Sequence, residues 1–242
     1  WSSSMENNLT IEKVIQDFTE LRDKKQFSEA IDLITKAIRS AGFNDVELHW
    51  RHAMVCRDLA MTAGKGNKSV YVAYVRQGLA ACTVGLQQDP DHPKCHYYYG
   101  VFINYNSELE GIKRCIENGY VIRDHWQVAY RRAPNDPLVL HALGRWCFEV
   151  SNLSWISRKL AQAFFATPPT SSYEEGLKYL LEAEKQAPDT LINNNLYLGK
   201  TYQRLKNNDL ARKYYQRVLA STEDDMEAED AKKEATTMLE KI

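Results

Sequence analysis

"LYLGKTYQRLKNNDLARKYYQ", residues 196–216, decides the fold. Within it Leu198 and Gly199 are followed three residues later by Tyr202, nine further on by Ala211, and four beyond that by Tyr215. A helix that crosses a partner closely needs a small side chain at the crossing, and Gly199 and Ala211 supply one on each of two helices. Leu198, Tyr202 and Tyr215 are bulky enough to fill the space around that crossing.

The same marks recur upstream. Second helices read Ala30/Ile34/Ala37, Gly78/Cys82/Gly85, Ile122/Trp126/Ala129 and Gly176/Leu180/Ala183, the last three stopped by Pro90, Pro134 and Pro188. First helices are marked at Ala53, Tyr99-Gly100, Leu143-Gly144 and Leu198-Gly199. Each second-helix mark stands 21 to 23 residues before the next first-helix mark, close to the spacing of a 34-residue helix-turn-helix repeat. The pattern resembles the tetratricopeptide repeat. With 11 Gly and no run of strict apolar alternation, the chain is expected to be all-α, a tetratricopeptide-like helical solenoid.

The repeats are uneven. From first-helix to second-helix mark the distance is 13 from Asp17 and in the last repeat, but 25, 23 and 33 in the three between, so those pairs are expanded. Ser154 to Phe165 reads as an added helix, and the acidic stretch 223–242 as a terminal capping helix. The reading is one domain over 5–242, with repeats near 10–42, 46–90, 93–134, 137–188 and 192–220. Trp1 to Ser4, before Met5, read as a cloning scar.

Lys and Arg number 31 against 32 Asp and Glu, but unevenly: residues 67–220 carry 19 basic and 14 acidic side chains, and 221–242 carry 3 and 8. A modestly basic body with an acidic tail suits contact with an acidic polymer. No apolar run approaches the roughly 20 residues needed to span a bilayer, and no secretory signal opens the chain. Five scattered cysteines without a CxxC pair fit a cytosolic, reducing setting.

The central stretch "LHALGRWCFEVSNLSWISRKLAQAFFATPPTSSYEEGLKYLLEAEKQAP", Leu140–Pro188, with "YNSELEGIKRCIENGYVIRDH" before it and "NLYLGKTYQRL" after it, resembles the regulator of microtubule dynamics family. The resemblance runs from about Val46 onward. It rests on GRWCFEV, W-x-x-R-K-x-A and the FATPP turn. It implies a helical-repeat protein that associates with microtubules and spindle poles and acts in chromosome segregation. Some relatives carry an N-terminal membrane anchor and work as lipid-binding organelle tethers. With Met5 as the natural start, this chain reads as a soluble, cytoplasmic member without that anchor.

Chemistry-bearing motifs read as structural. Gly199-Lys200-Thr201 has the ending of a phosphate-binding loop, but Asn194 stands where a Gly is required and the motif lies within a helix. His92, Cys95 and His96 sit at a helix start without a fourth metal ligand. Phe164-Phe165 reads as core. No nucleophile elbow is present, so neither catalysis nor a cofactor is expected, nor nucleic-acid binding. Two surfaces remain. Basic doublets, Lys113-Arg114, Arg131-Arg132, Arg158-Lys159 and Arg212-Lys213, are candidates for an acidic partner such as tubulin. First-helix positions facing the groove, Lys94, Tyr97, Tyr98, His141, Arg145, Asn193, Tyr197 and Lys200, are candidates for a peptide or lipid headgroup.

Overall fold

The computed structural model describes residues 10–165 and 169–242. The cloning-scar reading of residues 1–4, the start at Met5 and the FATPP turn through Ala166, Thr167 and Pro168 lie outside the described residues. Among the described residues there are helices and no strand.

The helices pair in order: α1 (Ile11–Asp23) with α2 (Phe27–Arg39), α3 (Val46–Ala63) with α4 (Lys68–Gln88), and α5 (Pro93–Glu110) followed by the short α6 (Ile112–Glu117) and α7 (Gly119–Arg132). Next come α8 (Pro137–Ser151), α9 (Trp155–Phe164) and α10 (Tyr173–Gln186), then α11 (Ile192–Arg204) with α12 (Asn208–Ala220), and α13 (Met226–Leu239). The expanded pairs use both expected devices. α3 and α4 are long helices, whereas α6 and α9 are additions. Side-chain caps fix the starts of the later helices. Ser154 Oγ accepts from Ser157 N at 3.1 Å to open α9, and Asp225 Oδ1 accepts from Ala228 N at 2.8 Å to open α13.

The chain forms two compact units, one ending at Tyr98 and one from Tyr99 to Ile242. In the first, Val14, Phe18, Ile34, Leu48, Val55 and Val75 are buried. Inside this core Asp58, only 7% exposed, accepts from Arg22 Nε at 2.6 Å. A Cβ on Gly85 would stand 2.6 Å from Cys95 Sγ, so α4 meets the start of α5 closely.

The second unit is held by the crossings the small residues mark. A Cβ on Gly144 would stand 2.6 Å from Leu180 Cγ, and one on Gly176 would meet the Gly144 carbonyl oxygen at 3.1 Å. On Gly199 it would meet the Tyr215 ring at 2.6 Å, and on Gly100 it would strike Trp126. Each mark names its partner four residues after the second-helix mark, as helix geometry requires. α13 closes this unit by burying Ala228, Ala231 and Ala235 in a cluster with Ile192, Leu196, Ala211, Tyr215 and Val218.

Candidate functional site

In the second unit α8 packs beside α10 and α11, so first-helix residues of neighbouring repeats share one face. His141 Nδ1 lies 3.2 Å from Asn194 Oδ1, and the His141 and Tyr197 rings meet edge to face at 5.9 Å. Tyr197 donates its hydroxyl to Glu149 Oε1 at 2.5 Å. Burial pushes the Tyr197 hydroxyl pKa up, with Glu149 adding to the effect, so the ring keeps its proton and its donor. Two cations flank it, the Arg145 guanidinium 5.5 Å and the Lys200 ammonium 4.5 Å from the ring centre.

Each cation also holds a carboxylate. Arg145 Nη2 reaches Glu108 Oε1 at 3.4 Å, and Lys200 Nζ sits 2.8 Å from Glu234 Oε1 on α13. The same helix sends Glu227, two turns earlier, to accept from the Tyr105 hydroxyl at 2.9 Å. The acidic terminal helix therefore does more than cover the last repeat: it supplies anions to the face formed by α5 and α11. Of the expected groove residues, His141, Arg145, Tyr197 and Lys200 form one connected row, with Asn193 half-buried at the start of α11.

Lys94, Tyr97 and Tyr98 belong to the other unit. Tyr97 and Tyr98 are 7% and 3% exposed, as buried as Tyr197 at 7%, and their rings pack edge to face at 4.9 Å. α5 enters this unit with its tyrosines turned to the core around Asp58 and Arg22, and Lys94 is half-buried.

Two pockets adjoin the row. One, of about 600 Å³, lies where α8, α11 and α13 end, lined by Phe148, Tyr173, Lys200, Arg204, Lys206 and Lys241 among others. The second, of about 300 Å³, has apolar walls including Ile112, Ile116, Ile122, Trp126 and Trp146, with Arg145, Glu108 and Glu149 also on its lining.

The basic doublets do not form a single stripe of equivalent charges. Arg114 is held by Glu110 at 2.7 Å and Glu117 at 2.8 Å, and Lys113 lies over the Phe164 ring at 5.4 Å. Arg158 donates to the carbonyls of Ser151 at 2.9 Å and Leu153 at 3.2 Å, closing the end of α8. Lys159 stacks on Trp155 at 4.0 Å, and Arg212 donates to the Ile242 carbonyl oxygen at 3.0 Å. Arg131, Arg132 and Lys213 are exposed.

The remaining motifs are occupied structurally. Thr201 donates to the Tyr197 carbonyl at 2.7 Å inside α11. His92 contacts Glu47 at 3.3 Å and His96 the Pro90 carbonyl at 2.8 Å. Phe165 packs edge to face on Tyr120 at 4.9 Å. Burial pushes the Cys95 thiol up to about 12 and Cys147 up to about 11, which keeps the nucleophilic thiolate scarce. Among the described residues no group of three or more side chains is placed to hold a metal ion, and no helix is long and apolar enough to cross a membrane.

Sequence reasoning found Lys200 but missed Arg204, Lys206 and Lys241. The first two follow Lys200 by four and six residues and were readable as a basic run. Lys241 reaches the cleft only through the packing of α13.

Comparison with known proteins bears on both fold and family. The tetratricopeptide protein TTC0263 of Thermus thermophilus superposes with a TM-score of 0.62 over 93% of this chain and 98% of that one, at 11% identity, which supports the tetratricopeptide-like fold. Regulator of microtubule dynamics protein 1 of Bos taurus is 34% identical over 83% of this chain and 62% of its own length. Regulator of microtubule dynamics protein 3 of Xenopus laevis is 31% identical over 81% of this chain and 41% of its own. The chain thus spans less than two thirds of the length of these relatives. The sequence profile described as Regulator of microtubule dynamics protein 1-3 matches residues 14–242, nearly the whole of the described structure, so the chain belongs to the regulator of microtubule dynamics family.

Proposed function

We propose that this chain is a non-catalytic interaction scaffold that associates with microtubules, in the cytoplasm and at the spindle and its poles, and acts in microtubule dynamics and chromosome segregation. One observation carries the reading: in a chain of this family, cations and aromatic rings alternate along α8 and α11, Arg145, Tyr197 and Lys200 in contact, in the manner of a surface that binds protein rather than one that turns over substrate. Tubulin presents acidic tails, so long-range attraction is expected to add to contact energy and to be screened over about 10 Å at 0.1 M salt.

Co-sedimentation with microtubules at rising salt tests this. Pelleting at low salt that fades as salt rises is expected, and charge reversal at exposed Arg131, Arg132 and Lys213 should weaken it. No pelleting at low salt overturns the reading. Arg158 is unsuitable for reversal, because its guanidinium closes α8.

A second reading, lipid binding, is favoured by the apolar pocket of about 300 Å³ that has Arg145 on its lining. Mass spectrometry of organic extracts from purified protein decides it. A stoichiometric lipid supports this reading, and clean extracts from several expression hosts remove it.

A further inference from the structure

The cleft of about 600 Å³ at the ends of α8, α11 and α13 falls within the volume range of ordinary ligand pockets, yet its chemistry is unusual for a structural gap. Four cations line it, Lys200, Arg204, Lys206 and Lys241, against a single carboxylate, Glu234. Lys200 is 16% exposed and fully engaged, held by Glu234 at 2.8 Å and lying over the Tyr197 and Phe148 rings at 4.5 and 5.2 Å. Arg204, Lys206 and Lys241 make no ion pair among the described residues.

Helix dipoles explain part of this arrangement but not all of it. A cation on the last turn of a helix is favourable, and Arg204 occupies that position on α11. Lys206 lies beyond the end of α11, with φ at 64°, and Lys241 lies beyond the end of α13. Lys200 and Arg204, one turn apart, are like charges at a spacing that costs helix stability. The three helix ends contribute about half a negative charge each, so together with Glu234 they leave roughly one and a half of the four positive charges uncompensated.

We propose that this cleft docks an acidic peptide segment. Its carboxylates meet Arg204, Lys206 and Lys241, with Phe148 and Tyr173 as the wall beneath, and Glu234 is the resident carboxylate that such a segment must displace to reach Lys200. The choice of a carboxylate ligand follows from the group already seated there. α13 presents Glu227 and Glu234 two turns apart while Ala228, Ala231 and Ala235 face the core, so the chain carries its own example of the chemistry that fits. The site rests on the proposed function only for the partner's identity, giving the scaffold a place for an acidic tail.

Fluorescence anisotropy with a fluorescein-labelled oligoglutamate peptide and the full chain at low salt tests the proposal. Saturable, salt-sensitive binding is expected. The triple variant Arg204→Glu, Lys206→Glu, Lys241→Glu should bind about tenfold more weakly or worse, since exposed charges act chiefly through such electrostatics. These three side chains are on the surface, and helicity measured by circular dichroism confirms that the variant folds. Glu234→Gln, which frees Lys200, should bind about threefold more tightly, in line with the small worth of a partly exposed pair. No binding by either the wild-type chain or Glu234→Gln overturns the proposal. So does binding unchanged in the triple variant, or saturation by inorganic tripolyphosphate with no response to oligoglutamate. Peptide binding without microtubule pelleting leaves the cleft standing and removes the microtubule partner. Pelleting without peptide binding removes the cleft and leaves the partner.

Discussion

The two units of the chain use their charged groups differently. In the unit ending at Tyr98 they are turned inward: Asp58 is 7% exposed beneath Arg22, and His49 is 5% exposed. His52 accepts a hydrogen bond from Gln77 Nε2 at 2.8 Å if it is read as the neutral tautomer its environment demands. In the unit from Tyr99 onward Arg145, Glu108, Lys200 and Glu234 sit at a face bordered by two pockets, and Arg204, Lys206 and Lys241 make no ion pair among the described residues. A buried carboxylate thus helps fix the core of one unit, while exposed Arg204, Lys206 and Lys241 border a cleft of the other. Inward groups are expected to govern stability, and accessible ones to govern binding.

The largest effect should come from Asp58→Ala. Removing this carboxylate takes from Arg22 its 2.6 Å partner and from Arg57 one contact at 3.6 Å, a change expected to cost about 3 kcal/mol in the first unit. Hydrogen exchange should show faster opening of α3 and α4 with α11 to α13 unaffected. Equal loss of protection in both units would break the comparison.

Acid should produce the next effect in the same unit. Burial, with His49 and Arg39 nearby, lowers His52 from its usual 6.5 to about 4. Between those values the unfolded chain takes up a proton that the folded chain refuses, so stability contributed by neutral His52 is complete above about pH 6.5 and disappears as pH falls toward 4. The loss is about 2–3 kcal/mol, and His52→Gln should flatten it in urea titrations across that window.

A smaller effect is expected from Gly199→Ala in the second unit. The new methyl group would approach the Tyr215 ring to 2.6 Å, and the ring is also tied through its hydroxyl to Gln203 at 2.7 Å. A cost of about 1–2 kcal/mol from overpacking follows, read as faster exchange in α11 and α12 while α3 and α4 keep their protection. A neutral substitution would mean that the crossing is looser than its geometry.

Much of the fold was legible because its determinants are local. Gly100, Gly144 and Gly199 announce close crossings, and their partners Trp126, Leu180 and Tyr215 stand four residues after each second-helix mark. The added helix α9 was readable from its own apolar spacing and its Ser154 cap. The candidate site was legible only in part. His141, Arg145, Tyr197 and Lys200 stand at corresponding repeat positions, but the burial of Tyr197, like that of Tyr97 and Tyr98, was not readable from those positions. Arg158 is exposed and also completes the end of α8, a role that its place in a basic doublet does not reveal.

The sequence by itself determined which segments are helical, where they start, and which small residues let them cross. These follow from side-chain size and spacing along one or two neighbouring helices. Tertiary structure decided which charges are spent and which remain available. An ion pair depends on what a distant segment brings within a few ångströms, and neither the seating of Glu234 on Lys200 nor the arrival of Lys241 beside Arg204 can be read from spacing along the chain.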